Sequence, residues 1–198
     1  DREEVKELEA SHALGIKVIY NEKNIGYFSG LNLGLQFLHE IGILDQLRFV
    51  VVGNNDLMFP ENFVDAVLRS DSLSKYPVVS PDILTLTGDH QNPHVVSRIS
   101  KLREMIYTVY YSSYFLSILI KKLSDVTNRF SDRKDESQHG RSQEIYQGYG
   151  ACYLLSRSFF DEFRLLDSPT FMMFEEFFLS LQLKRKGYSI FYDSTISI

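Results

Sequence analysis

The sequence predicts one α/β domain built on a mostly parallel sheet with helices on its faces. Short runs rich in β-branched residues alternate along the chain with segments whose apolar residues recur every three or four positions. The connections between these segments are short, as right-handed crossovers between parallel strands require. The chain has 198 residues, of which 44% are hydrophobic and 24% charged, and this composition is ordinary for one globular domain.

The predicted elements follow from apolar spacing and from the glycines and prolines that end or begin each segment. In chain order they are a helix over 1–14, a strand over 16–20, a helix between 26 and 42, a strand over 48–53, a helix after Pro60, a short strand over 78–80, a strand over 153–155, helices over 159–163 and 177–186, and a strand over 188–192. The apolar run 49–52 predicts a strand buried on both faces, so we expect it at the centre of the sheet.

Segment 94–145 interrupts this alternation and predicts an insertion. Apolar residues over 99–123 fall on one helical stripe that ends beside Lys121 and Lys122. An apolar helix with basic flanks suits a membrane surface. Its three- and four-residue spacing is chiefly a packing signal, however, which slightly favours a helix in the domain's own core or in a homodimer. The polar segment 124–144 has mixed charge and predicts a mobile loop.

Charge and cysteine content argue against several classes of protein. A net charge of −5 and a pI near 5.5 give no overall attraction to phosphate backbones, so we expect no nucleic-acid partner. The single cysteine, Cys152, lies in an apolar run, which fits a reducing compartment and a small buried hydrophobe rather than a nucleophile. No apolar run is long enough to span a bilayer and the first residues do not resemble a signal peptide, so we expect a cytoplasmic protein.

Two loops that follow predicted strands carry candidate binding residues, because ligands of open α/β sheets bind beyond the carboxyl ends of the strands. The first loop contains Asn24 and Gly26 and leads to Asn32 in the next helix. A glycine-containing turn at a helix N-terminus favours a phosphate group. The alternative is that Asn24 and Gly26 only form a turn, since both residue types are common there.

The second loop contains Asn54, Asn55 and Asp56 directly after the most apolar strand. Amide and carboxylate oxygens are ligands that Mg²⁺ or Mn²⁺ accepts beside substrate phosphates. A plain turn after the strand would use the same residue types. The loop is therefore a candidate metal site with a structural alternative.

A third candidate is the pair Glu175 and Glu176, which lies among large apolar residues near the start of a predicted helix. Partial burial would suit one of these carboxylates to act as a general base. Acidic residues in a first turn also compensate the helix dipole, and for two glutamates taken alone this explanation is equally good.

Read together and in order, these segments resemble the family 2 glycosyltransferases, the inverting GT-A group that includes many bacterial polysaccharide rhamnosyl- and galactosyltransferases. The likeness covers most of the chain. The matching motifs are Asn24, Gly26, Asn32 and Gly34 for the Asn-x-Gly pair, 51–56 for the metal-binding strand end, and 150–154, 174–176 and 187–188 for the later signature.

The resemblance implies a role for each candidate residue. Asp56 would hold a divalent ion, Mg²⁺ or Mn²⁺, and Glu176 or Glu175 would be the base. The nucleotide-sugar donor would be bound by Asn24, Gly26, Asn32, Asn54, Asn55 and Gly150. The implied reaction moves a sugar, with inversion, from a nucleotide-diphosphate donor to a saccharide or lipid-linked acceptor in cell-surface polysaccharide synthesis. A location on the inner face of the membrane would fit such an acceptor.

The sequence departs from the family pattern at three places. Glu176 stands where the family usually has the aspartate that serves as base. The family's opening strand would precede Asp1, so we expect 1–198 to be one catalytic domain without its first strand. A family histidine near the metal would fall beyond Ile198.

Two other functions compete with this interpretation. A sugar nucleotidyltransferase can share the nucleotide-binding half of such a domain, but its glycine-rich, basic triphosphate loop is not visible in the sequence. A catalytically degenerate GT-A domain could serve as a binding or membrane-association module, with Glu175 and Glu176 only capping a helix.

Overall fold

The computed structural model describes residues 15–98 and 135–198, together with short stretches at 6–7, 105, 108–110, 112–118 and 122. Of the predicted helix over 1–14 only residues 6–7 are described, and both are helical. Residues 124–134 of the predicted mobile loop lie outside the described residues, as does part of the stripe over 99–123. Among the described residues of that stripe, 108–110 and 114–118 are helical.

Within 15–98 and 135–198 the structure has five helices and five strands, with two short 3₁₀ turns at Leu44–Gln46 and Asp135–Gln138. The helices are α1 (Tyr27–Glu40), α2 (Phe63–Arg69), α3 (Ser72–Lys75), α4 (Arg157–Glu162) and α5 (Glu175–Lys184). The strands are β1 (Phe49–Gly53), β2 (Val78–Asp82), β3 (Gln143–Ile145), β4 (Cys152–Ser156) and β5 (Ile190–Ser197).

The strands form one sheet in the order β1-β4-β2-β5-β3. Strand β4 is antiparallel to both β1 and β2, β3 is antiparallel to β5, and β2 and β5 are parallel. The α/β class is confirmed, but the prediction of a mostly parallel sheet is wrong for the described strands. A long connection separates β2 from β4, so no short crossover fixes the direction of β4, and apolar content does not reveal direction.

Strand β4, and not β1, occupies the interior of the sheet. All five residues of β4 are buried, whereas only Val52 of β1 is buried. Among the described strands β1 pairs on one side only, which corrects the prediction that 49–52 is central. A continuous apolar run can fill either place, because helices also cover an edge strand when they pack across the whole sheet.

Residues 15–20 have no regular structure, which corrects the predicted strand over 16–20. The alternation of apolar side chains is present, but no described strand pairs with this segment, and alternation alone does not form a ladder. Conversely, part of the predicted mobile loop is ordered: Gln143 and Glu144 belong to β3. Their polarity fits a strand at the edge of a sheet, where one face meets water.

Two apolar clusters cover the faces of the sheet. The larger includes Phe28 and Leu35 of α1, Phe159 of α4, and Leu179 and Leu183 of α5. The smaller forms around Phe63 and Val67 of α2 with residues from the opposite face of the strands. Side chains of β4 alternate between them, since successive residues of a strand point to opposite faces.

Cys152, the first residue of β4, is fully buried and forms no disulfide. Burial raises the pKa of its thiol to about 12, so the thiolate is not formed near neutral pH. The prediction of a small buried hydrophobe is confirmed.

The ends of the insertion are attached to the domain at Val95 and Val96. Val95 pairs with Gln147, and the Val96 amide donates to the Asp135 carboxylate at 3.0 Å. None of the described helices is both long enough and apolar enough to cross a membrane.

Candidate active site

The carboxyl ends of three strands meet at one edge of the sheet. Because β4 is antiparallel to both β1 and β2, those two strands run in the same direction, and β5 runs parallel to β2. The amino end of β4 lies at the same edge. Ligands of open α/β sheets bind beyond this edge.

The loop that holds Asp56 is fixed to the turn before β4. The Asn54 amide donates to the Ala151 carbonyl at 2.9 Å. Gly53 approaches the same carbonyl so closely that a side-chain carbon would collide with it. Asn54, Asn55 and Asp56 are exposed. The Asp56 carboxylate is thus presented to solvent from a loop whose base is held in place.

Glu175 and Glu176 open α5 after two residues with left-handed backbone, Met173 (φ 72°) and Phe174 (φ 66°). Residues in this conformation carry a conformational cost of about 1–3 kcal/mol each and concentrate at functional sites. Only 5% of Glu175 is exposed, and its Oε1 has no hydrogen-bond partner among the described residues. Glu176 is half-buried.

Gly150 provides the space for the Glu176 carboxylate. A side-chain carbon at Gly150 would collide with Oε1 of Glu176. Gly150 itself is buried in the turn before β4, one residue from the carbonyl that holds Asn54. The predicted base and the predicted metal loop therefore contact the same turn.

Tyr27, in the first turn of α1, lies among the three acids. Its hydroxyl donates to the Gly150 carbonyl at 2.9 Å. Burial, the neighbouring Cys152 and the negative charges of Glu176, Glu175 and Asp56 all raise the pKa of Tyr27. The three carboxylates therefore act electrostatically on the same phenol.

The structure thus brings Asp56 and the glutamate pair to one rim of the sheet, together with Gly150. Tyr27 is a central residue of this cluster that sequence reasoning did not single out. The only available signal was a tyrosine at the helix start directly after Gly26.

The Asn-x-Gly residues have largely structural contacts. The Gly26 backbone amide donates to the Asn24 side-chain Oδ1 at 3.1 Å, which is the turn that was the alternative interpretation. Gly26 has φ 92° and faces the Phe171 carbonyl with no room for a side chain. Asn32 is 7% exposed, and its amide both donates to and accepts from the Leu166 backbone at 2.9 Å. Its polar groups thus hold α1 to the segment before α5, and its role in donor binding stays a prediction.

A cavity of about 420 Å³ lies beside the N-terminal half of α1. Its lining includes Lys17, Lys23, Asn24, Gly26 and Gly30. Two lysines and a helix N-terminus favour an anionic ligand. The three acids do not line this cavity, but Gly26 does, and its neighbour Tyr27 belongs to the acid cluster. A larger cavity of about 560 Å³ at the amino end of β5 shares no lining residue with the first and contains none of the three acids.

The donor atoms near Asp56 fit a divalent ion that is shared with a substrate. Among the described residues no group of three or more His, Cys, Asp or Glu side chains could hold a metal ion. Mg²⁺ is commonly held by one or two carboxylates, several waters and the oxygens of a substrate phosphate. The Asp56 carboxylate and the side-chain amide oxygens of Asn54 and Asn55 match such a site, in which waters and substrate phosphates supply the remaining ligands.

Comparisons of this chain with protein-family models, with curated proteins and with solved structures found no match.

Proposed function

We propose that this chain is the catalytic domain of an inverting glycosyltransferase of family 2 with a GT-A-like sheet. It would move a sugar from a nucleotide-diphosphate donor to a saccharide or lipid-linked acceptor in cell-surface polysaccharide synthesis. One observation carries the proposal: the Asp56 loop and the Glu175–Glu176 pair, which are distant in sequence, contact the same Gly150–Ala151 turn at the edge where strands β1, β2 and β5 end.

The donor would lie between the cavity beside α1 and the Asp56 loop. Lys17 and Lys23 line that cavity and suit the negative charge of a diphosphate. Asp56 would hold Mg²⁺ or Mn²⁺, which supplies charge neutralisation on the diphosphate leaving group. Asn54 and Asn55 are exposed and precede Asp56 directly, and their side-chain NH₂ groups can donate to the same phosphates.

Glu176 would be the general base and Glu175 its buried neighbour. Glu176 is partly open to solvent, whereas Glu175 is almost completely buried, so an acceptor can reach Glu176 more readily. The acceptor oxygen would bond to the anomeric carbon as its proton moves to the Glu176 carboxylate. The bond from that carbon to the diphosphate breaks with its electron pair on the phosphate oxygen, and the single displacement inverts the configuration.

The proposal is tested by measuring nucleoside diphosphate release from a panel of nucleotide sugars with Mn²⁺ and candidate acceptors. Asp56→Asn should abolish metal-dependent turnover, and Glu176→Gln should lower kcat by ~10²–10⁴-fold. Glu162→Gln is the matched control, because this carboxylate pairs with Lys186 on the surface and contacts no candidate site residue. Wild-type turnover in Asp56→Asn would remove Asp56 from the metal role.

The same preparations address the degenerate-domain alternative. Isothermal titration of wild-type protein with nucleotide sugars should show binding that requires Mn²⁺. No metal-dependent binding of any donor would favour a binding or membrane-association module over an enzyme.

A further inference from the structure

Tyr27 connects three segments that carry the candidate site. Its hydroxyl donates to the Gly150 carbonyl at 2.9 Å, across 123 positions of sequence. Its backbone amide donates to the Phe171 carbonyl at 3.2 Å, four residues before Glu175. No side chain could replace the hydrogen at Gly26, directly before it, without colliding with the same carbonyl. The start of α1 is therefore fixed against both the turn before β4 and the segment before α5.

The turn that Tyr27 holds contacts both functional loops. At Gly150 it lies against the Glu176 carboxylate. At Ala151 its carbonyl accepts the Asn54 amide, two residues before Asp56. A displacement of this turn would consequently move the predicted base and the predicted metal ligand relative to each other.

The Tyr27 hydroxyl is suited to hold this turn over a wide pH range. Burial and the surrounding acids raise the pKa of Tyr27, so its proton remains in place for donation to Gly150. The ring is partly buried and contacts Phe28 at a centroid distance of 5.8 Å, so removal of the hydroxyl alone leaves the ring packed. The hydrogen bond and the packing can therefore be separated by a conservative substitution.

We propose that Tyr27 is a positioning residue that sets the separation of Glu176 and Asp56 by fixing the Gly150–Ala151 turn. The kinetic part of this proposal rests on the proposed glycosyltransferase function. The geometric part, which is that the Tyr27 hydroxyl controls the Asp56 loop, does not depend on it. Two measurements test the two parts separately.

The geometric part is tested by amide hydrogen exchange in Tyr27→Phe. Loss of one hydrogen bond to the turn should speed exchange of the Asn54 amide by about 5-fold. The Ser156 amide, which bonds to the Pro77 carbonyl at the other end of β4, serves as an internal reference and should not change. Tyr192→Phe is the matched control, because it removes another buried tyrosine hydroxyl that donates to a distant carbonyl, that of His139, at 2.7 Å.

The kinetic part is tested by donor turnover of the same variants. Misplacement of reacting groups by about 1 Å can cost up to ~10²-fold in rate, so kcat of Tyr27→Phe should fall by about 10- to 100-fold. The donor KM should stay near the wild-type value, since the cavity residues are unchanged. A variant that had merely lost stability would lose active protein and would show wild-type kcat per folded molecule.

Each result decides one part of the proposal. Faster Asn54 exchange with lower kcat in Tyr27→Phe, and neither in Tyr192→Phe, supports it. Unchanged Asn54 exchange in Tyr27→Phe overturns it whatever the activity. Faster exchange with unchanged kcat overturns the positioning role in the reaction. If wild-type protein releases no nucleoside diphosphate, the proposed function fails, and the exchange result alone decides whether Tyr27 holds the Asp56 loop.

Discussion

Gly150 lies in the turn before β4, and its missing side chain leaves the space that the Glu176 carboxylate occupies. Its backbone is not in the left-handed region, so alanine is compatible with the local conformation. The atom that an added methyl group would meet is the far end of a flexible glutamate. The protein can therefore accept alanine by moving Glu176, and the cost falls on the position of the carboxylate.

We predict that Gly150→Ala lowers donor turnover by up to ~10²-fold because it displaces the base. The free energy of unfolding should change by less than about 1 kcal/mol, since the glutamate can rotate away. Turnover and urea denaturation of the same preparation measure the two effects. Gly140→Ala is the control, because a methyl group there meets open space and no candidate site residue lies near it. Full activity in Gly150→Ala would show that Glu176 need not occupy its present position.

Residue type and local order were enough to identify some residues of the candidate site from the sequence. Asp56 is a charged residue directly after a predicted strand, and the glutamate pair lies near the start of a predicted helix. Tyr27 could not be predicted in the same way, since its importance comes from a contact with Gly150 that only the tertiary fold creates. The contacts of Asn32 were not predictable for the opposite reason: an asparagine side-chain amide can bind a ligand or a backbone equally well, and in this fold it binds the Leu166 backbone.

At the scale of elements, Asp193 fastens the loop between α2 and α3 to strand β5. Its carboxylate accepts hydrogen bonds from the Ser70 hydroxyl at 2.5 Å and from the Thr195 hydroxyl at 2.6 Å, and Asp193 is only 4% exposed. Burial raises the pKa of Asp193, but the hydrogen bonds from Ser70 and Thr195 outweigh it, and the net pKa lies below the ordinary value.

This depressed pKa makes acid stability depend on Asp193. The group stabilises the fold above its unfolded pKa of about 3.9, and that contribution is lost as pH falls through the lower folded value. We predict that the unfolding free energy of wild-type protein declines below about pH 4 more steeply than that of Asp193→Asn. Asp71→Asn should keep the wild-type slope, because that side chain is 86% exposed. Urea denaturation at a series of pH values checks this, and equal slopes in wild type and Asp193→Asn would contradict it.

The elements themselves were largely predictable from apolar spacing, but their pairing was not. Helix α1 and strand β1 lie within the segments that the pattern indicated, and helices α4 and α5 and strands β2, β4 and β5 overlap theirs. Strand direction depends on which neighbour each strand finds, and β4 inserts antiparallel between β1 and β2. The segment 16–20 has the alternation of a strand without a described partner, which a single-segment pattern cannot reveal.

At the scale of the whole molecule, the mixed sheet brings together the residues on which the proposed function depends. Reversal of β4 leaves β1, β2 and β5 running in one direction, so their carboxyl ends share an edge. The α/β class therefore predicted where a site would lie even though the parallel topology was wrong. The acids at that edge come from two segments, the loop after β1 and the start of α5, and their convergence is the central claim of the proposed function.

Paramagnetic broadening by Mn²⁺ tests that convergence most directly. In ¹⁵N-labelled wild-type protein with a nucleoside diphosphate, bound Mn²⁺ should broaden the amide signals of Asn54, Gly150 and Glu176 together. Asp56→Asn should abolish the broadening at all three, because one carboxylate holds the ion. If Mn²⁺ broadens Asn54 and leaves Glu176 sharp, or broadens all three equally in Asp56→Asn, then Asp56 and the glutamate pair do not form one metal-dependent site.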